Sequence, residues 1–197
     1  MTTESESWPP ADIHPPSMPH PVFRIHARTH IAAPAAPVLD LLLAPSSYER
    51  WNPFAPAARI RAQPSTPEAD AAPERLHKGT RFTLDAMMDP SKPSSVNPTH
   101  LVVDEVSHTT KKDGSVVHRV IWSNDTEAAW IMGKVLRAER VHEVIEKDRE
   151  CEVRTWEGMD GVLAYVVRAM FAGVLPGRFE AWLGGLKGEA EKGGDGL

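Results

Sequence analysis

The stretch CEVRTWEGMDGVLAYVVRAMFAGVLPGRFEAWLGGLKGEAEK, residues 151–192, decides the fold. It begins with the alternating pattern of a strand and continues into a long segment whose apolar residues recur at the period of an α-helix. Because so wide an apolar stripe must be covered to be stable, the segment predicts a sheet on which the helix lies. The stripe consists of Leu163, Val166, Val167, Met170, Val174, Trp182, Leu183 and Leu186.

Gly173, Pro176 and Gly177 interrupt this helix in its middle. Pro176 has no N–H to donate to the carbonyl of Ala172, and its ring crowds that turn, so we expect the helix to kink or restart near Gly177. Two interpretations follow. The break loosens one end of the helix and forms a ligand gate, or it only lets the helix follow the curvature of the sheet.

The segments upstream supply that sheet. Residues 22–31 alternate with period two and predict a half-buried strand. APAAPVLDLLLAP changes to helical spacing and is followed by a second short helix through SSYERW. Residues 63–75 and 89–98 have the composition of exposed loops. About six more strands are predicted, in AARIRA, GTRFTLDAMM, THLVVDEV, VVHRVIWSN, KVLRAERVHEVIEK and ECEVRTWEG.

The chain is predicted to form a single α+β domain with two tails. Residues 1–21 hold six of the 18 prolines and are predicted to be a disordered arm. Residues 22–192 form the domain, and residues 193–197 are expected to fray.

Composition excludes several classes of protein. With 22 basic and 27 acidic residues and no dense basic run, nucleic acid is not an expected partner. The single cysteine, Cys151, is typical of a reducing compartment, so the cytoplasm is the expected location. No apolar run is long enough to span a bilayer. No dinucleotide, phosphate-loop or paired-cysteine motif is present, so neither a cofactor nor a metal is expected.

Two stretches resemble the START/SRPBCC superfamily, which has the helix-grip or birch-pollen-allergen-like fold. IAAPAAPVLDLLLAPSSYERWNPF, residues 31–54, is similar to its opening signature: a strand, an Ile-x-Ala-Pro-like turn, a short helix and a Trp-Asn-Pro segment. Residues 151–192 are similar to its closing strand and long helix, and RVIW fits its central strand. The resemblance implies a curved antiparallel sheet of about six or seven strands around a long C-terminal helix, with two short helices after the first strand.

The same resemblance implies a hollow that admits a hydrophobic small molecule. Members of the superfamily carry lipids or isoprenoids, sense hormones, or cyclise and dehydrate polyketides. Our leading hypothesis is a cofactor-independent cyclase or dehydratase; the alternatives are a non-catalytic lipid or isoprenoid carrier or sensor, and an interaction module of the chaperone-cofactor type. A homodimer through the outer face of the first strand is also considered.

Four residues are candidates for catalysis. Arg140 and His142 alternate on one face of a strand; aligning the closing strand with the superfamily turns that face inward, although periodicity alone leaves the face of residues 134–147 open. His142 is then the base, with Arg140 or the hydroxyl of Tyr165 stabilising an enolate, and His118 is a further polar candidate. Each histidine has an alternative as a hydrogen-bonded core residue.

The predicted ligand-binding wall is mostly aromatic and aliphatic, with packing as the alternative for the tryptophans. Glu157 is either a cavity carboxylate or a partner of nearby backbone donors. The wall consists of Trp51, Phe54, Phe82, Leu84, Trp122, Val144, Trp156, Glu157, Val166 and Met170.

Overall fold

A computed structural model of the chain describes residues 8–89, 91–92, 96–128 and 135–192. The strands are β1 (Phe23–Ile31), β2 (Ala57–Ala62), β3 (Arg81–Met87), β4 (Val96–Thr110), β5 (Val116–Asn124), β6 (Arg137–Lys147) and β7 (Glu150–Asp160). The helices are α1 (Ala35–Leu43), α2 (Tyr48–Trp51), α3 (Pro67–Ala71), α4 (Val162–Phe171) and α5 (Leu175–Lys192), with a 3₁₀ turn at Pro45–Ser47. The predicted tail, residues 193–197, lies outside the described residues.

The seven strands form one antiparallel sheet in the order β1-β7-β6-β5-β4-β3-β2. This sheet, the C-terminal helix and the two short helices after β1 confirm the predicted helix-grip fold. Two loops differ from the prediction. Residues 63–75 contain α3, whose first turn is capped by the hydroxyl of Thr66. Pro98 lies inside β4, where that strand pairs with β3 alone, so its missing N–H breaks no ladder bond to β5.

Helix α5 is the rod around which the sheet and the short helices pack. It contacts β1, α1 and α2. Its buried side chains include Phe179, Trp182, Leu183 and Leu186. The T-shaped contact between Trp182 and Trp51, with ring centroids 5.6 Å apart, joins α5 to α2. The core therefore lies between α5 and the inner face of the sheet.

The predicted break in the C-terminal helix separates α4 from α5, whose axes are bent by 77°. It falls at residues 172–174, slightly before the predicted position. Pro176 occupies the first turn of α5, where its missing N–H needs no partner, so the proline starts the second helix. Within the described residues no single helix is long and apolar enough to cross a membrane; α4 and α5 meet that criterion only together and despite their bend.

Residues 8–21 of the predicted arm lie against the outer face of β5, β6 and β7, and residues 1–7 of that arm lie outside the described residues. The rings of Trp8 and Trp156 make a T-shaped contact with centroids 5.7 Å apart. Ile13 packs against the same outer cluster, and Ser17 donates a hydrogen bond to Glu139. Apolar residues spaced among the prolines give the arm enough surface to bury, which its proline content alone did not indicate.

Candidate functional site

A small cavity opens between the inner face of the sheet and the segment that follows α2. Its volume is about 90 Å³, well below the roughly 300–1,000 Å³ of pockets that enclose drug-sized ligands. It therefore suits a small ring or the reactive end of a longer molecule. Its wall is formed by Phe54, Leu84, Ala86, Thr99, Leu101, Trp122, Asn124, Ala138, Arg140 and Glu157.

Arg140 of β6 is the only cation among these lining residues. Its guanidinium carbon lies 3.9 Å from the ring centroid of Phe179 and 4.7 Å from that of Trp182. Its Nε donates to the hydroxyl of Thr155 at 3.2 Å. Burial lowers the pKa of Arg140 to about 10, so the side chain still carries its charge at neutral pH. The aromatic faces of α5 thus hold a buried positive charge at the cavity wall.

Glu157 of β7 stands directly opposite Arg140 in the strand register. Burial raises the pKa of Glu157 to about 7, and the charge of Arg140 only partly offsets that rise. A carboxyl group with such a pKa exists in both protonation states near neutral pH. It can therefore take up or release a proton under those conditions.

We expect the Glu157→Gln variant to be more stable than the wild type above neutral pH. Because the pKa of Glu157 is higher in the folded protein than its ordinary value of 4.5, folding favours the protonated carboxyl, and that stability is lost as the pH rises from 4.5 to about 7. Discounted for the partial exposure of Glu157, the gain at about pH 8 is about 1–2 kcal/mol and disappears near pH 4.

Urea denaturation at several pH values measures this difference in the free energy of unfolding. Glu150→Gln, at the exposed start of the same strand, is the matched control and should show no such gain. A constant difference between Glu157→Gln and the wild type across this range would contradict the assignment.

His142 points from β6 toward α5, as the alignment with the superfamily predicted, but it does not line the cavity. Its ring lies between Trp122 and Trp182, with centroid distances of 4.4 and 4.9 Å. Its Nδ1 is 3.2 Å from the hydroxyl of Thr155. Burial, followed by the charge of Arg140, lowers the pKa of His142 well below 6.5. It is a neutral core histidine and a poor base for a ligand in this cavity.

The other two catalytic candidates lie elsewhere. Tyr165 on α4 is 62 % exposed. His118 lies toward the opposite end of β5 from Trp122, with its Nε2 3.9 Å from the carboxylate of Glu146. Neither lines the cavity, so neither is positioned to act there.

Of the predicted wall, Phe54, Leu84, Trp122 and Glu157 line the cavity. The remaining predictions are corrected by the structure. Buried core side chains fill the interior at Trp51, Phe82 and Val144. Trp156 packs on the outer face of the sheet. Val166 and Met170 are exposed on α4.

Five lining residues were not predicted: Ala86, Thr99, Leu101, Asn124 and Ala138. Three of them could have been found from the alternation of strands, since residues two apart share a face of the sheet. Asn124 follows Trp122, Ala86 follows Leu84, and Ala138 precedes Arg140, each by two positions. No metal-binding group of three His, Cys, Asp or Glu side chains occurs within the described part of the chain.

The sheet, the gripping helix and the cavity between them define the helix-grip fold. Solved structures of this fold include a START superfamily protein from Mycobacterium smegmatis, with a TM-score of 0.55 and 13% identity over 86% of this chain and 97% of that one. The aromatase/cyclase Zhui from Streptomyces sp. R1128 has a TM-score of 0.55 and 12% identity over 86% and 94% of the two chains. A hypothetical protein from Helicobacter pylori reaches 0.62 with 17% identity over 96% and 98%.

The chain belongs to the family of oxopyrrolidines biosynthesis cluster protein O from Penicillium oxalicum. The two sequences are 36% identical over 150 residues, which cover 71% of this chain and 72% of the relative. No family model matches the chain.

Proposed function

We propose that the protein acts in a biosynthetic pathway, where it binds a small carbonyl-containing intermediate and catalyses a cyclisation or dehydration by proton transfer. The observation that carries this proposal is the pair Arg140 and Glu157 at the wall of one cavity, opposite each other on adjacent strands. The relative's place in an oxopyrrolidine biosynthesis cluster supports a role in making a small metabolite. The fold shared with an aromatase/cyclase is compatible with ring-forming chemistry but does not determine it.

Each residue of the pair has a distinct role. Glu157 transfers protons to and from the bound intermediate, because its pKa near 7 suits both directions. Arg140 stabilises negative charge that develops on a carbonyl oxygen when a proton leaves the adjacent carbon. The aromatic residues around Arg140 exclude water and so strengthen this interaction. In this proposal Glu157 takes the role of base that was predicted for His142.

The proposal is tested in the organism that makes the protein, by replacing the chromosomal codon so that Glu157→Gln is expressed. Losing a proton-transfer group typically slows a reaction by about 10²–10⁴-fold, so we expect the pathway's end product to fall at least about tenfold. An uncyclised precursor, or one heavier by one water, should accumulate. Glu150→Gln is the control and should leave the metabolite profile unchanged. An unchanged profile in Glu157→Gln, at an equal level of the protein, would contradict a catalytic role.

A second candidate function, binding to a partner protein, is favoured by the surface of α4. Five large apolar side chains are exposed there or just beyond it: Val162, Tyr165, Val166, Met170 and Val174. A largely filled interior with an exposed apolar patch is the combination expected of an interaction module. A Val166→Glu variant distinguishes the two functions: loss of the end product with unchanged ligand binding in the purified protein would favour a partner on α4.

A further inference from the structure

The cavity wall carries hydrogen-bond donors that have no acceptor. Eight buried side-chain nitrogens of the described residues find no hydrogen-bond partner, and two of them, Nη2 of Arg140 and Nε1 of Trp122, belong to residues that line the cavity. Arg140 is 6 % and Trp122 is 2 % exposed, and both line the cavity. Leaving two such donors unpaired in a folded core costs free energy, so their presence calls for an explanation by a ligand.

The polar balance of the wall favours one class of ligand. The carbonyl oxygen of Asn124 is already occupied, because it accepts the backbone N–H of Ala138. Arg140 brings a full positive charge, and Glu157, when protonated, adds a third donor and no compensating negative charge. When Glu157 is protonated, the free groups are therefore donors around a cation without a compensating charge, and the complementary ligand is an acceptor that carries negative charge.

We propose that the cavity selects an acidic small molecule bound as its oxyanion, with the charged oxygen between Arg140 Nη2 and Trp122 Nε1. This inference rests on the proposed function, because it names the ligand class of the same cavity. The oxyanion is either the enolate of a cyclic 1,3-dicarbonyl compound or a carboxylate; both present the same acceptor chemistry.

Small ring compounds that match the cavity test this selectivity. Cyclopentane-1,3-dione supplies an acidic enol, cyclopentanecarboxylate a carboxylate, and cyclopentanone a neutral ring of the same size. Binding is followed through the indole N–H signals of the six tryptophans in two-dimensional NMR spectra, with Trp122→Phe identifying the signal of Trp122. We expect one of the acids to shift that signal and to bind at least about tenfold more tightly than cyclopentanone, as a charge-assisted hydrogen bond predicts.

Variants test whether Arg140 and Trp122 cause the preference for an acid over cyclopentanone. Arg140→Met should abolish the preference for the acid, and Trp122→Phe should reduce it several-fold; Arg149→Met, in an exposed turn, should leave it intact. If Arg140→Met does not fold, the Trp122→Phe variant and the shift of the Trp122 indole signal in the wild type still test whether the cavity selects an oxyanion. Whichever acid binds more tightly identifies the enolate or the carboxylate as the source.

Two results would overturn the inference, and only one of them would also contradict the proposed function. If cyclopentanone shifts the Trp122 signal and binds as tightly as both acids, the cavity binds ligands without selecting anions, and the proposed function stands. If none of the three compounds shifts that signal, the cavity does not accept small rings, and the proposed function fails with the inference.

Discussion

Gly185→Ala is expected to lower the free energy of unfolding by about 3 kcal/mol or more, at the upper end of the cost of overpacking a core. A Cβ at this position would lie 1.8 Å from the carbonyl oxygen of Trp51 and 3.0 Å from Cδ of Pro53. The closest of these atoms belongs to the backbone and cannot rotate away, so α5 would have to separate from the segment after α2. That segment also accepts a hydrogen bond from Arg178 at the carbonyl of Pro53.

The neighbouring glycine is a matched control. Gly184 lies on the same helix but is exposed, and a Cβ there meets nothing within 4 Å. Gly184→Ala should therefore raise the free energy of unfolding by about 0.5–1 kcal/mol, the usual gain from alanine in a helix interior. Urea denaturation of both variants measures the contrast, and a Gly185→Ala variant as stable as Gly184→Ala would contradict the close approach of α5 to Trp51.

His142 and Glu157 are expected to have opposite effects on stability between about pH 4.5 and 6.5. The unfolded chain protonates His142 as the pH falls below 6.5, whereas the buried imidazole does not take the proton, so stability falls by up to about 1.4 kcal/mol per pH unit. Glu157 takes up its proton more readily in the folded protein, so stability rises over the same interval. The two contributions offset each other in the wild type.

Substituting either His142 or Glu157 should reveal the contribution of the other residue to the pH dependence of stability. In His142→Gln the contribution of Glu157 remains, and stability should rise as the pH falls toward 4.5; by about pH 5 the change relative to the wild type amounts to about 2 kcal/mol. In Glu157→Gln stability should fall over the same interval. The slope against pH is the quantity to compare, because His142→Gln also loses packing between Trp122 and Trp182. His30→Gln, on the exposed face of β1, serves as the control; parallel slopes in all variants would be inconsistent with a buried neutral imidazole.

The fold could be predicted from the sequence because the segments at both ends of the domain have clear patterns of apolar residues. The period-two alternation of residues 22–31 specifies a half-buried strand, and the apolar stripe near the C-terminus specifies a helix. Each needs the other to cover its apolar face. The alternating segments between these ends predicted the remaining strands, and the resemblance of the two ends to one superfamily then implied that the sheet curves around the helix. The inward direction of Arg140 and His142 also followed from that resemblance and not from periodicity.

The details of the site were less accessible, for reasons that particular residues illustrate. Val166 and Met170 share the helical stripe of Trp182, but they are exposed on α4, which is bent by 77° from α5, and a one-dimensional pattern contains no bend angle. Trp122 and Trp182 are equally apolar, yet one lines the cavity and the other fills the core. Whether a large side chain leaves space beside it depends on all of its neighbours at once, which a single sequence does not specify.

The order of the strands has a consequence for how the chain reaches its native state. Among the strands of the described residues, β1 comes first in the chain, and its partner in the sheet is β7, which comes last of the seven. The backbone hydrogen bonds of β1 therefore cannot form until β7 has left the ribosome. The hairpins from β2 to β7 can form earlier, because each joins strands that are neighbours in sequence. One face of β1 is covered by charged and imidazole side chains, those of Arg24, His26, Arg28 and His30. These polar groups help to keep the unpaired strand from associating with other nascent chains.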